Sequence, residues 1–336
     1  MNLYRIRKVA EAYRLNLEES PAPVPGPGQI SVRVRAVSLN YRDLIVLGGQ
    51  YGKVSPEGIV PLSDGAGEVI AVGEGVTQFK TGDRVAGCFF QDWEKGPASW
   101  EIAHSALGGA IDGMLAEEVL LAEKGAVHVP EHLSYEQAAT LPCAALTAWN
   151  GLFTRGQMRP DQTALFLGTG GVSIFGLQFA AAFGARAIIT SSSDEKLERA
   201  KALYACGVVN YRAHPDWHKE VLDLTGKRGV DHVLEVGGAG TLERSMKVMN
   251  VSGHIALIGI LAGPASAVDV FPLALKNATM SGIYVGSKEN FEAMNAFITR
   301  HHIKPVVDRV FPFTEAADAY DYLASGSHFG KVVIRI

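Results

Sequence analysis

Between residues 30 and 37 the side chains alternate, Ile-Ser-Val-Arg-Val-Arg-Ala-Val, which predicts a β-strand with one face in a core and one in water. The stretch before it, residues 21–28, is Pro-Ala-Pro-Val-Pro-Gly-Pro-Gly and admits no regular structure. Short apolar runs punctuated by glycine follow at residues 65–73 and 82–86, with Gly73-Glu74-Gly75 as a turn after the first. Strands this short and this closely spaced predict a small β-barrel. Residues 89–114 show no sustained period and read as a long surface loop.

From about residue 122 the texture changes, and Ser134 with Gln137 forms a capping-box helix start. The apolar run Leu165-Phe166-Leu167 ends in Gly168-Thr169-Gly170-Gly171-Val172-Ser173, after which small and apolar residues continue to Gly184. This predicts strand, tight turn and helix, and the bare amides at such a helix start attract phosphate. The spacing Gly168-x-Gly170-x-x-Ser173 matches the dinucleotide fingerprint except at its last position, where Ser stands for Gly or Ala. That departure is expected to loosen helix-to-strand packing slightly.

Strand candidates at 186–190, 208–210, 230–235 and 254–258 alternate with helical stretches such as the one opening at Ser193. The order predicts a doubly wound parallel sheet of the Rossmann type, with its ligand crevice beyond the strand C-termini. Gly237 and Gly259 stand at two of those ends, where backbone approaches a cofactor closely. The tail reads as helix 288–300, a strand near 306–311, helix 314–323 and strand 331–336, without the parallel rhythm. It is assigned back to the β-barrel. The expected domains are therefore residues 1–122 with 287–336, and residues 123–286.

A chain of 336 residues with 47% hydrophobic and 20% charged positions suits two soluble globular domains. A formal net charge of −4 offers no basic field for nucleic acid. No apolar stretch is long enough to cross a bilayer, and the first residues lack a signal-peptide core, so a cytoplasmic location and no membrane partner are expected. Cys88, Cys143 and Cys206 are scattered, which fits reduced thiols better than disulfides or a CxxC site.

Several segments together carry a resemblance over nearly the whole chain: Pro27-Gly28-Gln29-Ile30, Val37-Ser38-Leu39-Asn40-Tyr41-Arg42-Asp43, Asp64-Gly65-Ala66-Gly67-Glu68-Val69, Phe79-Lys80-Thr81-Gly82-Asp83-Arg84-Val85, Leu141-Pro142-Cys143-Ala144-Ala145-Leu146-Thr147-Ala148-Trp149, the Gly168 cluster and Gly330-Lys331-Val332-Val333-Ile334. The sequence resembles the medium-chain dehydrogenase/reductases, in their zinc-independent, quinone-oxidoreductase-like branch. The resemblance implies a GroES-like catalytic barrel around a Rossmann domain, in a homodimer or homotetramer. Zinc-dependent members of the family place Cys at Asn40 and His at Ser63, and Cys143 matches a third ligand position. One thiol cannot hold a metal that takes about three protein ligands, so no zinc is expected.

The second strand of the nucleotide domain ends Thr190-Ser191-Ser192-Ser193 with no carboxylate at its tip, Asp194 following as a helix-start acid. Hydroxyls at Ser191 and Ser192, with Lys196, suit the 2′-phosphate of NADP(H). The resemblance adds Tyr211 and Thr147 as cofactor contacts, and Lys331 is grouped with them. A metal-free reductase must polarise its substrate through hydrogen-bond donors, and the resemblance implies that Asn40, Tyr41 and Tyr51 line the active-site cleft, which makes them the candidate catalytic residues. The expected activity is NADPH-dependent hydride transfer to a small electrophile, either a quinone or the C=C bond of an enone or enal. A zinc-free alcohol dehydrogenase and a non-catalytic NADPH- or RNA-binding protein stand as alternatives.

Overall fold

The computed structural model describes residues 1–51, 56–259 and 267–336. The chain divides into two compact units, Met1–Leu146 with Val285–Ile336, and Thr147–Tyr284. The first unit opens with a hairpin, β1 (Asn2–Val9) and β2 (Ala12–Glu19). Its barrel is built from β3 (Gln29–Ser38), β4 (Asp64–Val72), β5 (Arg84–Gly87), β6 (Glu118–Ala122) and β7 (Ala126–His128).

The second unit contributes β8 (Thr163–Phe166), β9 (Arg186–Ser191), β10 (Gly207–Asn210), β11 (Val230–Glu235), β12 (Met249–Leu257) and β13 (Thr279–Gly282). The chain then returns to the barrel with β14 (Val307–Pro312) and β15 (Lys331–Arg335).

In the barrel the strand order is β14-β15-β3-β4-β5-β7, with β6 also paired to β3. The alternation in β3 holds in its middle, residues 32–35, while Ser31 and Ala36 on the opposite face are buried as well. Ile30, Val32, Val34 and Val37 join Val69, Val85, Leu121, Val332 and Ile334 in the core, while Arg33 and Arg35 face outward beside Glu118 and Glu68. The tail belongs to the barrel because β15 pairs antiparallel with β3, Val333 opposite Ser38.

Residues 123–146, expected with the nucleotide domain, cluster instead with the barrel. β7 pairs with β5, and the backbone N–H of Cys143 donates to Asp64. The segment 89–114 is a loop as expected, with residues 94–101 exposed, but its two ends are buried rather than lying on the surface. Phe89, Phe90 and Met114 are buried, and the Gln91 amide bonds Cys88 O, Gly125 O and Ala122 N at 2.8–3.1 Å.

The second unit is a fully parallel sheet in the order β10-β9-β8-β11-β12-β13, the doubly wound order whose direction reverses between β8 and β11. At the strands' N-terminal ends the Asp231 carboxylate accepts from Thr163 N, Arg228 and Asn250, joining β8, β11 and β12. After β8 the chain turns at Gly168, φ +71°, into the helix Gly171–Phe183, which stops at Gly184 in the left-handed region.

The Ser of the imperfect fingerprint does not loosen this motif. Ser173 is buried, and its hydroxyl donates to Leu167 O at 2.7 Å, so it ties the helix back to the strand end. Close helix-to-sheet approach is supplied one turn later. A Cβ at Gly176 would lie 2.5 Å from Phe166 Cε1 and 2.8 Å from Leu234 Cδ1.

Two histidines face each other across β11 and β12, His232 opposite His254, with ring centroids 6.0 Å apart. Burial lowers both from the ordinary 6.5 to about 4. The unfolded chain therefore binds more protons than the native one between these values, and stability falls as the pH drops from 6.5 towards 4. Replacing both histidines with Gln is predicted to flatten the difference in urea midpoint between pH 7 and about pH 4.5. An acid loss as large in the double variant as in the parent would contradict this.

Candidate active site

Residues 39–43 leave the barrel after β3 and enter the helix Tyr41–Leu47. Asn40 is its N-cap, and its backbone N–H donates to Asp43 Oδ2 at 2.7 Å, so the turn brings a carboxylate under the start of the helix. Lys331, at the start of β15, is buried. Its ammonium donates to Asn40 Oδ1 at 2.6 Å and Leu39 O at 2.5 Å. An ammonium has no acceptor, so the Asn40 oxygen must face it and the Nδ2 is turned the other way. That nitrogen faces Asp64 without completing a hydrogen bond to any described residue.

Asp64 opens β4 opposite Ser38 and is wholly buried. It accepts from Ser63 Oγ at 2.7 Å and Cys143 N at 3.2 Å. Burial raises its pKa, and the Lys331 charge leads the effects that pull it back. Lys331 is the mirror image: burial lowers it, and Asp64 is the largest opposing influence. Asp43 is pushed up to about 6, again by burial, against the pull of Arg42. The Cys143 thiol is raised by burial and by the Asp64 charge, which makes it a poor thiolate.

Arg42 closes the other side. Its guanidinium lies 4.7 Å from the Tyr51 ring centroid and 4.9 Å from that of Phe89, and it donates to Leu107 O at 2.8 Å. The segment read as a surface loop thus forms one wall around Arg42 and Tyr51. Tyr41, the first helical residue, is half exposed. Gly52, which ends the glycine-rich stretch holding Tyr51, lies outside the described residues.

In the second unit the glycine turn and the strand tips gather at one edge of the sheet. Gly168 N donates to Thr190 Oγ1 at 3.2 Å, linking the ends of β8 and β9, and Thr169 is buried. The first amides of the helix, from Gly171, Val172 and Ser173, have no partner within the helix after its extended N-cap Gly170.

At the next tip Ser191 is buried and its hydroxyl accepts from Ser193 N at 3.3 Å, so it belongs to the turn rather than standing open as expected. Ser192, Lys196 and Tyr211 are at least partly exposed, and Tyr211 N donates to Ser191 O at 3.0 Å, bringing the tips of β9 and β10 together. Asp194 accepts from the Asn210 amide at 2.7 Å. Thr147 is buried in the short helix Leu146–Trp149, flanked by wider π-helical turns.

The structure therefore sorts the expected residues into two groups. Asn40 is brought together with Lys331 in the barrel unit, where the ammonium donates to Leu39 O and Asn40 Oδ1. Gly168, Gly170, Gly171, Ser192, Lys196, Tyr211, Gly237 and Gly259 belong to the parallel-sheet unit. Sequence reasoning did not pair Asp64 with Lys331, because 267 positions separate them (331 − 64) and nothing in either short motif points to the other. It also passed over Glu235, a wholly buried carboxylate at the end of β11. The signal was available there: a strand-end acid directly before Val236-Gly237-Gly238, with Thr241 and Ser245 on the following helical turns.

Known proteins share this plan. The alcohol dehydrogenase GroES-like domain matches residues 26–131, and the zinc-binding dehydrogenase family matches residues 171–300. The chain is 45% identical over 314 residues to a zinc-type alcohol dehydrogenase-like protein of Schizosaccharomyces pombe, covering 92% of this chain and 91% of that one. It is 32% identical over 317 residues to a quinone oxidoreductase of Pseudomonas aeruginosa, covering 91% and 90%. Among solved structures it is similar to a putative alcohol dehydrogenase from Sinorhizobium meliloti 1021, at 43% identity and TM-score 0.93 over 100% and 98% of the two chains. It is also similar to an NAD-dependent alcohol dehydrogenase, at 34% identity and TM-score 0.90 over 100% of both. With the barrel, the parallel sheet order and the glycine turn, these likenesses lead to one assignment: the chain belongs to the medium-chain dehydrogenase/reductase family.

Proposed function

We propose that this oxidoreductase uses NADPH, without zinc, to reduce a quinone or the C=C bond of an α,β-unsaturated carbonyl. The observation that carries the zinc-free reading is the Lys331 ammonium 2.6 Å from Asn40 Oδ1. Where zinc-dependent members of the family have a thiolate, this chain has an amide whose oxygen is already taken by a cation. At the second ligand position Ser63 is a hydroxyl donating to Asp64, and at the third the Cys143 thiol is held towards its protonated form. These donors do not fit zinc, which needs deprotonated thiolate, imidazole or carboxylate ligands around an open position.

A nicotinamide dinucleotide does fit the parallel-sheet unit. The reversal of strand order falls between β8 and β11, and the helix after Gly170 offers free amides for a pyrophosphate. The NADPH preference rests on the β9 tip: no carboxylate ends the strand, and Asp194 is engaged by Asn210. Ser192, Lys196 and Tyr211 are the proposed holders of the 2′-phosphate. Bound NADPH supplies the hydride.

The chain's own residues have the task of polarising the acceptor and delivering a proton. Asn40, its oxygen held by Lys331, keeps an Nδ2 with no hydrogen-bond partner among the described residues and is the proposed donor to the substrate oxygen, with Tyr51 the proposed proton source. A second reading, reduction of the carbonyl itself, is favoured by the alcohol dehydrogenase names of the two similar solved structures.

A panel of quinones, enones, enals and simple aldehydes, assayed with NADPH and with NADH, separates the two readings by product. A saturated ketone from an enone is expected, with NADPH preferred at least about tenfold in kcat/KM. An allylic alcohol as the main product would favour the second reading, and an NADH preference would overturn the cofactor assignment.

Asn40→Ala is expected to lower kcat by about 10²-fold while leaving the Kd for NADPH unchanged, as loss of a polarising donor should. Tyr51→Phe should slow turnover by making proton delivery more nearly rate-limiting, seen as an increased solvent isotope effect or a changed pH profile. A variant at either position with parental kcat and pH profile removes that residue from the mechanism.

A further inference from the structure

We infer that Glu235 is the positioning residue of the cofactor crevice, and that its carboxylate holds the turn after β11 in the shape a dinucleotide requires. The inference rests on the nicotinamide reading above. Glu235 ends β11 and is wholly buried. A buried carboxylate is costly unless its lone pairs are filled. Here the compensation comes from uncharged donors. Gly237 N at 2.8 Å, Gly238 N at 3.0 Å and Thr241 Oγ1 at 2.5 Å all reach Oε1, and the Ser245 hydroxyl reaches Oε2.

The same residue's backbone carbonyl accepts from Ile258 N at 2.9 Å and Gly259 N at 3.2 Å, beyond the end of β12. One residue thereby joins four pieces of the second unit: the end of β11, the turn 236–241, the helix Leu242–Val248 and the chain leaving β12. All but the body of the helix lie at the strand C-termini, the edge where doubly wound sheets take their ligands.

The two glycines read from the sequence as ligand-approach positions have a nearer reason to be glycine. A Cβ on Gly237 would lie 2.3 Å from Thr241 Oγ1, and one on Gly259 would lie 2.3 Å from Val236 O. Gly238 has φ +73°. Each glycine is required by the turn that the Glu235 carboxylate closes, so the clamp comes first and the ligand surface follows from it.

The chemistry is specific to an anion with two oxygens at this reach. Gln would turn an NH2 towards N–H or O–H donors and open the turn on one side, whereas Asp, one methylene shorter, cannot hold both the glycine amides and Ser245. Glu235→Gln, Glu235→Asp and the structural control Met246→Ala are compared with the parent. Met246 is buried in the helix Leu242–Val248 and is not among the clamp's donors.

Hydrogen exchange without any cofactor is expected to speed up at Gly237 and Gly238 in Glu235→Gln. Fluorescence titration should show the Kd for NADPH raised about tenfold or more in that variant and by less in Glu235→Asp, with kcat at saturating NADPH changed far less than Kd. Met246→Ala should lose thermal stability while keeping parental affinity.

Parental affinity in both folded Glu235 variants would overturn the inference, as would an equal affinity loss in Met246→Ala. Should Glu235→Gln fail to fold, the Glu235→Asp affinity decides the matter alone. A parent protein that binds neither NADPH nor NADH would overturn the cofactor reading, and the exchange result would then report on the clamp independently.

Discussion

A buried ammonium can persist only where negative charge and oxygen donors meet it, and Lys331 imposes that condition on the barrel unit. Its partners come from separate parts of the chain: Leu39 and Asn40 beyond β3, and Asp64 at the start of β4. The pairing of β15 with β3 delivers the lysine to that position, and the register of β4 on β3 delivers the aspartate. The tail therefore has to return to the barrel for the site to be electrostatically complete. Removing the lysine alone would take away the largest charge that opposes the burial of Asp64.

The parallel-sheet unit solves a different problem with a similar device. Its strand ends are fastened by carboxylates, Asp231 at the N-terminal edge and Glu235 at the C-terminal edge, each filled by several donors. The difference between them is informative. Asp231 shares an ion pair with Arg228 and is held below the ordinary carboxylate range by that arginine, Asn250 and Thr163 together, against its burial. Glu235 relies on uncharged donors drawn from the turn it organises, so its bonds report directly on the shape of that turn.

Much of this was legible in the residues, for local reasons. The alternation of β3, the run 165–167 with its glycine turn and the return of the tail each depend on patterns a few residues long. What escaped depended on distant partners. The hairpin β1–β2 was missed because β2 alternates only between half-buried and exposed positions, Ala12 to Glu19, with no buried face to mark it. The burial at the ends of segment 89–114 was missed because it comes from isolated aromatic residues and from Gln91 bonding, not from a period. Ser173 was judged by a fingerprint written for glycine, whereas the close contact had moved to Gly176 and left the hydroxyl available for Leu167.

The proposal that ties these features together is that a lysine–amide pair, with a buried aspartate beside it, stands where other members of the family keep a metal. The most direct test is the zinc content of protein purified without chelators, measured by elemental analysis on the same sample whose NADPH-dependent turnover is followed before and after dialysis against a strong chelator. The account predicts zinc far below one ion per chain and turnover unchanged by the chelator. One zinc per chain, with activity lost on chelation and restored by added zinc, would contradict it.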